Sequence, residues 1–592
     1  MKLKKTYKIL IDAFLLNAKA SPKLFIIESI IALFSSVIGV AVIHTTRILL
    51  LTVEDVAETG RNLDVFYMVF IVFIVVALCK ELIAWINDYI SFVLNEKTLI
   101  ALSEKMHFKA RALNIIDYEN PELLDLFNNA SSGIYTIRYF SKNVLNFFIR
   151  DIPYLFFVGM YLYSLNPLLF LIPIFIFIPT VITQIIKAKS FVYLKEDQSK
   201  LDRKVSHYSD CIVERGFFKE TRSLGAFSFF YNLLKETIDV KDILSWKTQT
   251  NAQLWELVSR FISLLGYYGV FVLLFFSLIN GIISPASFAA VFSSIQMLYS
   301  TVEHIVCNRI GSILQNDFSD MKFFVDYMSL KERTYGKKEH IYSSNIVLNN
   351  VSFSYPSRIE KAVQDVNLNI SRGSIIAIVG ENGSGKTTLA KLILGLYKPD
   401  SGEIFVDGIN ANDISSNCLY KNKSAVFQDF YRYLFTLKEN VTISDVEDET
   451  DNDRLNSATI AAGVNYLDND LFPEQYETLL SKQFGGVDLS GGEWQRIALA
   501  RGYFRKSQLI ILDEPTASID PIEENRVYQS FSSITKSKTT ILITHRLGST
   551  KMADIIIVMD KGKIVQTGSH EELMREEGLY KSLYASQAKW YE

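Results

Sequence analysis

The sequence predicts two domains of unlike class in one chain: an all-α bundle of six membrane-spanning helices, then an α/β phosphate-loop domain. Three observations carry this. The part before residue 311 holds six apolar runs of spanning length, set between polar connections. From about Ile346 onward, short apolar runs alternate with polar, glycine-containing turns. One β-branched run, Ile375–Val379, leads straight into a glycine-rich loop ending in Lys386-Thr387.

Composition agrees. A chain of 592 residues exceeds one domain at roughly 100–200 residues each. Hydrophobic residues make up 49% and charged residues 21%, as expected for an apolar part joined to a polar one. The formal net charge of -3 gives no basic excess, which argues against a nucleic-acid partner. The cysteines (Cys79, Cys211, Cys307 and Cys418) lie far apart with no CxxC. That spacing suggests neither a zinc site nor a disulfide framework.

The first twenty residues begin with a basic stretch, Met1 to Lys8, followed by Ile9–Leu16, which is too short to span. No small-residue cleavage site follows an apolar core, so the segment reads as an amphipathic helix along the cytoplasmic face. The expected spans are Leu24–Leu51, Asp64–Val93, Tyr135–Leu165, Leu168–Ile186, Leu254–Ile283 and Ser287–Ile310. Two long polar stretches interrupt them, Leu94 to Ser132 and Lys187 to Gln253. Both are rich in Lys and Arg, whereas the other connections are short and poor in positive charge. The positive-inside rule therefore puts both stretches and both termini in the cytoplasm. Each stretch holds a short compact piece, Ile115–Phe127 and Val213–Gly225.

Ionisable residues also fall within or near the spans, among them Arg150, Asp151, Glu256, Arg260 and Glu303. Charge in a bilayer is costly and faces a bundle interior or an aqueous cavity. Glu256 and Arg260 stand one helical turn apart and are spaced to pair. Gln296, Tyr299 and Glu303 share a helix face; substrate contact and internal pairing both remain open for them.

In the second half, Gly380-Glu381-Asn382-Gly383-Ser384-Gly385-Lys386-Thr387, with Thr388 behind it, is a phosphate loop between a strand and the helical run Leu389–Leu396. The glycines let backbone N–H groups wrap phosphate oxygens, and the helix N-terminus adds partial positive charge. Lys386 is placed to reach the β- and γ-phosphates, and the Thr387 hydroxyl to coordinate Mg²⁺. A second apolar run, Leu509–Leu512, ends in Asp513-Glu514. A buried parallel strand with carboxylates at its C-terminal edge follows. There Asp513 can hold Mg²⁺ and Glu514 can polarise the attacking water.

Leu489-Ser490-Gly491-Gly492-Glu493 resembles the signature motif of the ATP-binding cassette family. It is a second anion nest at a helix start. In that family this nest closes on the γ-phosphate held by a partner domain, so the resemblance implies a dimer with two ATP molecules between its cassettes. Further positions resemble the family in order. Tyr355 resembles the aromatic that stacks on adenine, and Gln428 the glutamine that senses Mg²⁺ and faces the membrane domain. Ser518-Ile519-Asp520 resembles the loop at the dimer interface, with Ile519 where Leu is usual. His545, after the strand Thr540–Thr544, resembles the histidine at the γ-phosphate. Lys386, Glu514, His545 and Ser490-Gly491-Gly492 are all present in one chain, which favours a homodimer over a pair of unlike chains.

Spans placed ahead of a cassette resemble the type IV exporter architecture. The resemblance implies a membrane domain over 21–325, a linker over 326–344 and a cassette over 345–592. It also implies that Ile116–Glu122 and Lys219–Gly225 act as coupling segments docked near Gln428, and that the chain sits as a multi-pass protein in a bacterial inner membrane. Ala425–Tyr433, and Phe484–Asp488 leading into Trp494, resemble the cassettes of exporters for lantibiotics and related modified peptides. A peptide exporter is therefore the first expectation. A lipid or multidrug exporter is the second, and a cassette protein that gates a conductance the third.

Overall fold

The computed structural model describes residues 2–61, 63–165, 167, 172–306, 318–356, 360–448, 451–468, 470–516 and 538–588. These residues form two compact units, Met1–Ala112 with Glu122–Lys331, and Leu113–Pro121 with Glu332–Glu592.

The first unit is all helix: α1 (Lys2–Ala20), α2 (Pro22–Thr59), α3 (Leu63–Ala112), α4 (Pro121–Leu145), α5 (Ile152–Leu165), α6 (Ile172–Val213), α7 (Arg215–Ser223), α8 (Phe227–Ile279), α9 (Pro285–Glu303) and α10 (Phe318–Met328). A π-helical turn, Asn146–Asp151, joins α4 to α5. Pro22 at the first turn of α2 gives up an N–H that no helix uses, and left-handed Gly60 ends that helix. At 1.5 Å per residue, the 50 residues of α3 reach about 75 Å, more than twice the hydrocarbon core. The expected cytoplasmic prolongations are thus continuous helix.

Among the described residues, four helical stretches are long and apolar enough to cross a membrane: Pro22–Ala57, Leu63–Ala112, Glu122–Ser164 and Phe227–Ile279. The other two expected spans fall on α6 and α9, with 168–171 and 307–310 outside the described residues.

An apolar cluster that includes Ile43, Val158, Leu162, Val270 and Leu274 fills part of the bundle, whereas α3 is polar on its inner stripe and apolar outside. On α3, Asn87, Ser91, Asn95 and Thr98 are buried along one helical face. Leu78, Leu82, Trp85, Tyr89 and Phe92 are exposed. Lipid tails are as apolar as leucine, so nothing drives those side chains inward, and polar groups pair between helices instead. Ser91 donates to Glu28 of α2, and the Thr98 hydroxyl lies 3.4 Å from the Asn17 side-chain oxygen of α1. Helix α1 buries Ala13 and Asn17, so it packs on its own bundle as well as presenting a surface.

Glu256 and Arg260 do pair, with the Arg260 Nε and a terminal nitrogen 3.1 and 3.0 Å from one carboxylate oxygen. Lys187 of α6 binds the other Glu256 oxygen, and Arg260 reaches Glu303 of α9 at 3.1 Å. Tyr299 packs on Tyr267 with ring centres 5.2 Å apart. Internal pairing therefore engages Glu303 and Tyr299; nothing is described of the Gln296 side chain.

The second unit holds two sheets. A four-stranded antiparallel sheet has the order β2–β1–β4–β5, from β1 (Ile346–Ser354), β2 (Lys361–Ile370), β4 (Ser401–Val406) and β5 (Ile409–Asn410). A six-stranded sheet has the order β10–β9–β3–β8–β7–β6. Its strands are β3 (Ile375–Gly380), β6 (Lys423–Val426), β7 (Leu509–Asp513), β8 (Thr539–Ile543), β9 (Ile555–Asp560) and β10 (Lys563–Gly568). All pair in parallel except the β9–β10 hairpin. Every residue of β7 and β8 is buried, which explains why both read as unbroken β-branched and leucine runs.

Two boundaries differ from the expectation. The cassette unit begins at Glu332 rather than 345, because the intervening segment is hydrogen-bonded into it. Arg333 donates to the Leu396 and Gly395 carbonyls, and Asp407 accepts from the Ser343, Ser344 and Asn345 amides. The unit also takes in Leu113–Pro121, from the middle of the helical half.

Candidate functional site

The site forms at the carboxyl ends of β3, β8 and β7, where α/β sheets bind ligands. Register sets it. Ile378 of β3 pairs with Ile543 of β8, and Ile543 pairs with Asp513 of β7. The residues just past these ends, Gly380 to Lys386, Thr544-His545 and Asp513-Glu514, therefore emerge at one level.

The phosphate loop runs from β3 into helix α11 (Lys386–Leu394), three residues earlier than its apolar run suggests. Gly380 and Gly385 have φ of 150° and 102°. A Cβ at either would stand 2.2 Å from the Met559 carbonyl oxygen or 2.3 Å from that of Ala362. Only glycine lets the loop pass that close to neighbouring backbone. Glu381, Asn382 and Gly383 form the turn, with the Ser384 amide donating to the Glu381 carbonyl. Lys386 folds back, its Nζ donating to the Gly380 and Glu381 carbonyls at 3.0 and 2.8 Å. Burial pulls its pKa below the ordinary lysine value, against the pull of Glu514 and Asp513.

Thr387 donates to Asp513 at 2.8 Å. The other Asp513 oxygen and the Ser384 hydroxyl are buried without a hydrogen-bond partner among the described residues. Burial raises the Asp513 carboxyl above its ordinary pKa, with Thr387 partly offsetting this. A buried carboxylate half-satisfied by a hydroxyl suits a hydrated divalent cation. No cluster of three or more His, Cys, Asp or Glu occurs among the described residues. Mg²⁺ held here would thus rest on Thr387, Asp513 and nucleotide oxygens, as that ion's need for retained water and phosphate ligands requires.

Glu514 is the most constrained member. It sits in the left-handed region, φ 49°, which is uncommon for a residue with a side chain and recurs at functional sites. Its amide donates to the Ile543 carbonyl at 2.9 Å and its carbonyl accepts from Gln495 at 3.1 Å. One carboxylate oxygen lies 2.7 Å from His545 Nε2, the other accepts from Gln428 Nε2 at 2.8 Å. Burial and Lys386 hold the His545 pKa below its ordinary value, with Glu514 opposing them. In a neutral ring, Nε2 is the nitrogen that donates to this carboxylate. Among the described residues, Gln428 is thus hydrogen-bonded to Glu514.

Ser490 caps the helix Gly491–Phe504 (α12). Its hydroxyl accepts from the Glu493 amide, and the Glu493 carboxylate accepts from the Ser490 amide at 2.6 Å, a capping box. Gly491 and Gly492 occupy the first turn, where amides have no intrahelical partner. Glu493 is spent on the cap. Tyr355 packs at the edge of the cassette core, its hydroxyl 3.1 Å from that of Thr388. Asp520 lies outside the described residues, with Ser518 and Ile519.

Sequence reading missed Gln495, Tyr397 and Lys391. Gln495 lay one helical turn past the signature glycines, a findable position; no local signal marks the other two. The segment Leu113–Pro121 meets the rest of its unit through Glu119, at Tyr397 and Lys391.

Comparison with known proteins fits this geometry. The family model described as ABC transporter matches residues 363–517. Over 570 residues the chain is 30% identical to the subtilin transport ATP-binding protein SpaT of Bacillus subtilis, spanning 94% of this chain and 90% of that one. The chain belongs to the ABC transporter family. This ABC transporter is also 25% identical over 553 residues to the nisin transport ATP-binding protein NisT of Lactococcus lactis subsp. lactis, covering 90% and 89% of the two chains. An ATP-dependent lipid A-core flippase of Haemophilus ducreyi is 32% identical over 309 residues, 52% of each chain. In fold, a bacterial Atm1-family ABC exporter with ATP bound superposes with a TM-score of 0.82 at 19% identity, covering 96% and 99%. The protein is a membrane-embedded exporter with a fused cassette, and it couples ATP hydrolysis to transport.

Proposed function

We propose that this transporter exports a ribosomally made, modified peptide, and that two copies of the chain close on two ATP molecules. The observation carrying the peptide reading is the extent of likeness. The subtilin and nisin transport proteins match over 94% and 90% of this chain, membrane half included. The lipid A-core flippase of Haemophilus ducreyi matches over 52%. Substrate choice lies with the membrane half, so likeness that covers it weighs more. Homodimerisation is supported by the presence of both kinds of anion nest, at Gly380–Thr387 and Ser490–Gly492, in one chain. Both termini face the cytoplasm in this reading.

The chemistry assigns roles as follows. Amides of Gly383 to Thr388 and the Lys386 ammonium bind the phosphates, Lys386 leaving the carbonyls it now holds. Thr387 and Asp513 would hold Mg²⁺, which would supply charge neutralisation at the transferred phosphoryl group. Glu514 accepts from the attacking water, and His545 and Gln428 fix where its carboxylate points. Tyr355 offers its ring to adenine, and Ser490 to Gly492, with Asp520, serve the partner copy's nucleotide. Closure of the dimer around ATP and release after hydrolysis bias the membrane helices between two states.

Two measurements test this. Glu514→Gln in the reconstituted transporter should bind ATP and lose hydrolysis; normal turnover would remove Glu514 from its role. Uptake of a lanthionine-containing peptide into inside-out vesicles, dependent on ATP, supports peptide export. Flipping of a labelled lipid in the same vesicles, without peptide uptake, would favour the lipid reading.

A further inference from the structure

Within the cassette unit, the bend Leu113–Pro121 touches the helix that begins at the phosphate loop. The Tyr397 hydroxyl donates to Glu119 at 2.6 Å and lies 3.1 Å from Lys391 Nζ. Lys391 Nζ is itself 3.6 Å from the same Glu119 oxygen. Lys391 belongs to α11, whose first residue is Lys386. Burial and Glu119 together push the Tyr397 hydroxyl well above the ordinary tyrosine pKa, so it remains a donor.

The Tyr397 ring carries the contact onward. It stacks on Phe353 with centres 5.2 Å apart and planes 12° apart, and meets Tyr355 edge-on at 5.9 Å. Phe353 meets Tyr355 edge-on at 5.3 Å. Tyr355 returns to α11 through its hydroxyl at Thr388. Asn114 and Ile116 of the bend line a crevice of about 340 Å³ together with Tyr355 and Tyr397. The bend therefore holds α11 at Lys391 and, through two rings, at Thr388, one turn apart.

We propose that Glu119, Tyr397 and Lys391 are positioning residues that tie ATP affinity to the placement of the Leu113–Pro121 bend. This rests on Tyr355 facing adenine. None of the three touches Glu514, His545 or Gln428 in the described contacts, so the relay acts first on nucleotide binding. Without the Glu119 carboxylate, the Tyr397 hydroxyl loses its acceptor. Tyr355 and α11 then lose their outer support.

The test uses the full-length transporter in proteoliposomes with MgATP, comparing Glu119→Gln, Tyr397→Phe and the double variant. Tyr397→Phe keeps the ring stack and removes only the hydroxyl. The relay predicts that each single variant raises KM for MgATP about five-fold, the low end of measured couplings between sites, with kcat within about two-fold. The double variant should be no worse than either single, because both break one link. An unchanged KM in both singles, or effects that multiply in the double, overturns the relay. So does a joint fall of kcat and thermal stability, which would mark general destabilisation. Glu514→Gln runs beside them: hydrolysis surviving in it would fail the ATP-site assignment itself, whereas a dead Glu514→Gln with unmoved KM in the others fails only the relay.

Discussion

Lys423 opens β6 with its side chain 4% exposed and its ammonium without a hydrogen-bond partner among the described residues. Burial pulls its pKa from the ordinary 10.5 to about 8, although Asp407 opposes the drop. At pH 7 the folded protein therefore carries a buried charge that the unfolded chain leaves in water. At about 1.4 kcal/mol per pH unit, that difference costs the cassette about 3 kcal/mol. Lys423→Met keeps the length of the side chain and removes the charge. It should stabilise the protein at pH 7 by an amount on the order of 3 kcal/mol, which in a unit of this size raises Tm by roughly 5–10 °C. Asp407 keeps its amide and hydroxyl donors and should tolerate the change.

The sign follows from proton binding. Between pH 8 and 10.5 the unfolded chain holds a proton that the folded one has released, so wild-type stability rises with pH through that window. The variant lacks this gain. Its advantage should be full below pH 8 and shrink toward pH 10.5. Thermal unfolding of both proteins, followed by intrinsic fluorescence at pH 7, 8.5 and 10, measures it. A variant less stable than wild type at pH 7, or an advantage that stays constant with pH, would falsify the reasoning.

Two further outcomes follow from local geometry. Gly380→Ala puts a methyl group 2.2 Å from the Met559 carbonyl, in the strand beside β3, and should abolish binding of a fluorescent ATP analogue; retained affinity would mean the cradle is not built at this close approach. Glu493→Ala removes the reciprocal cap on α12 and should cost about 1 kcal/mol, seen as a lower Tm, whereas Glu493→Gln keeps the box and should be neutral. Equal losses in both would show that charge at Glu493, and not the cap, is what counts.

Much of the fold was legible because its signals are local. The phosphate loop declares itself through a β-branched strand, the glycines and Lys386-Thr387, all within a dozen residues, and its backbone follows from what glycine alone can adopt. The spans were legible because a bilayer demands a run of apolar residues of fixed length. Boundaries were less so. Arg333 and His340 looked like linker residues because their partners, the Gly395 carbonyl and Asp407, lie more than sixty residues away. Glu493 has a second role that only the structure shows. Its place in a signature motif suggests the nucleotide, while the capping box shows the carboxylate facing its own helix start.

The sequence alone determined that this chain has a membrane half and an ATP-binding half, and which residue types would handle phosphate. Tertiary structure decided which of them meet. The order β9–β3–β8–β7–β6 places Gly380, His545 and Glu514 at one sheet edge, and no spacing in the chain predicts strand order. It also decided that Glu514 is gripped from two sides, and that Glu119, 278 residues before Tyr397, belongs to the cassette. The physical reason is the range of the forces. Backbone preferences and apolar periodicity act within a few residues and are written along the chain, whereas hydrogen bonds and ring contacts act between whatever packing has brought together.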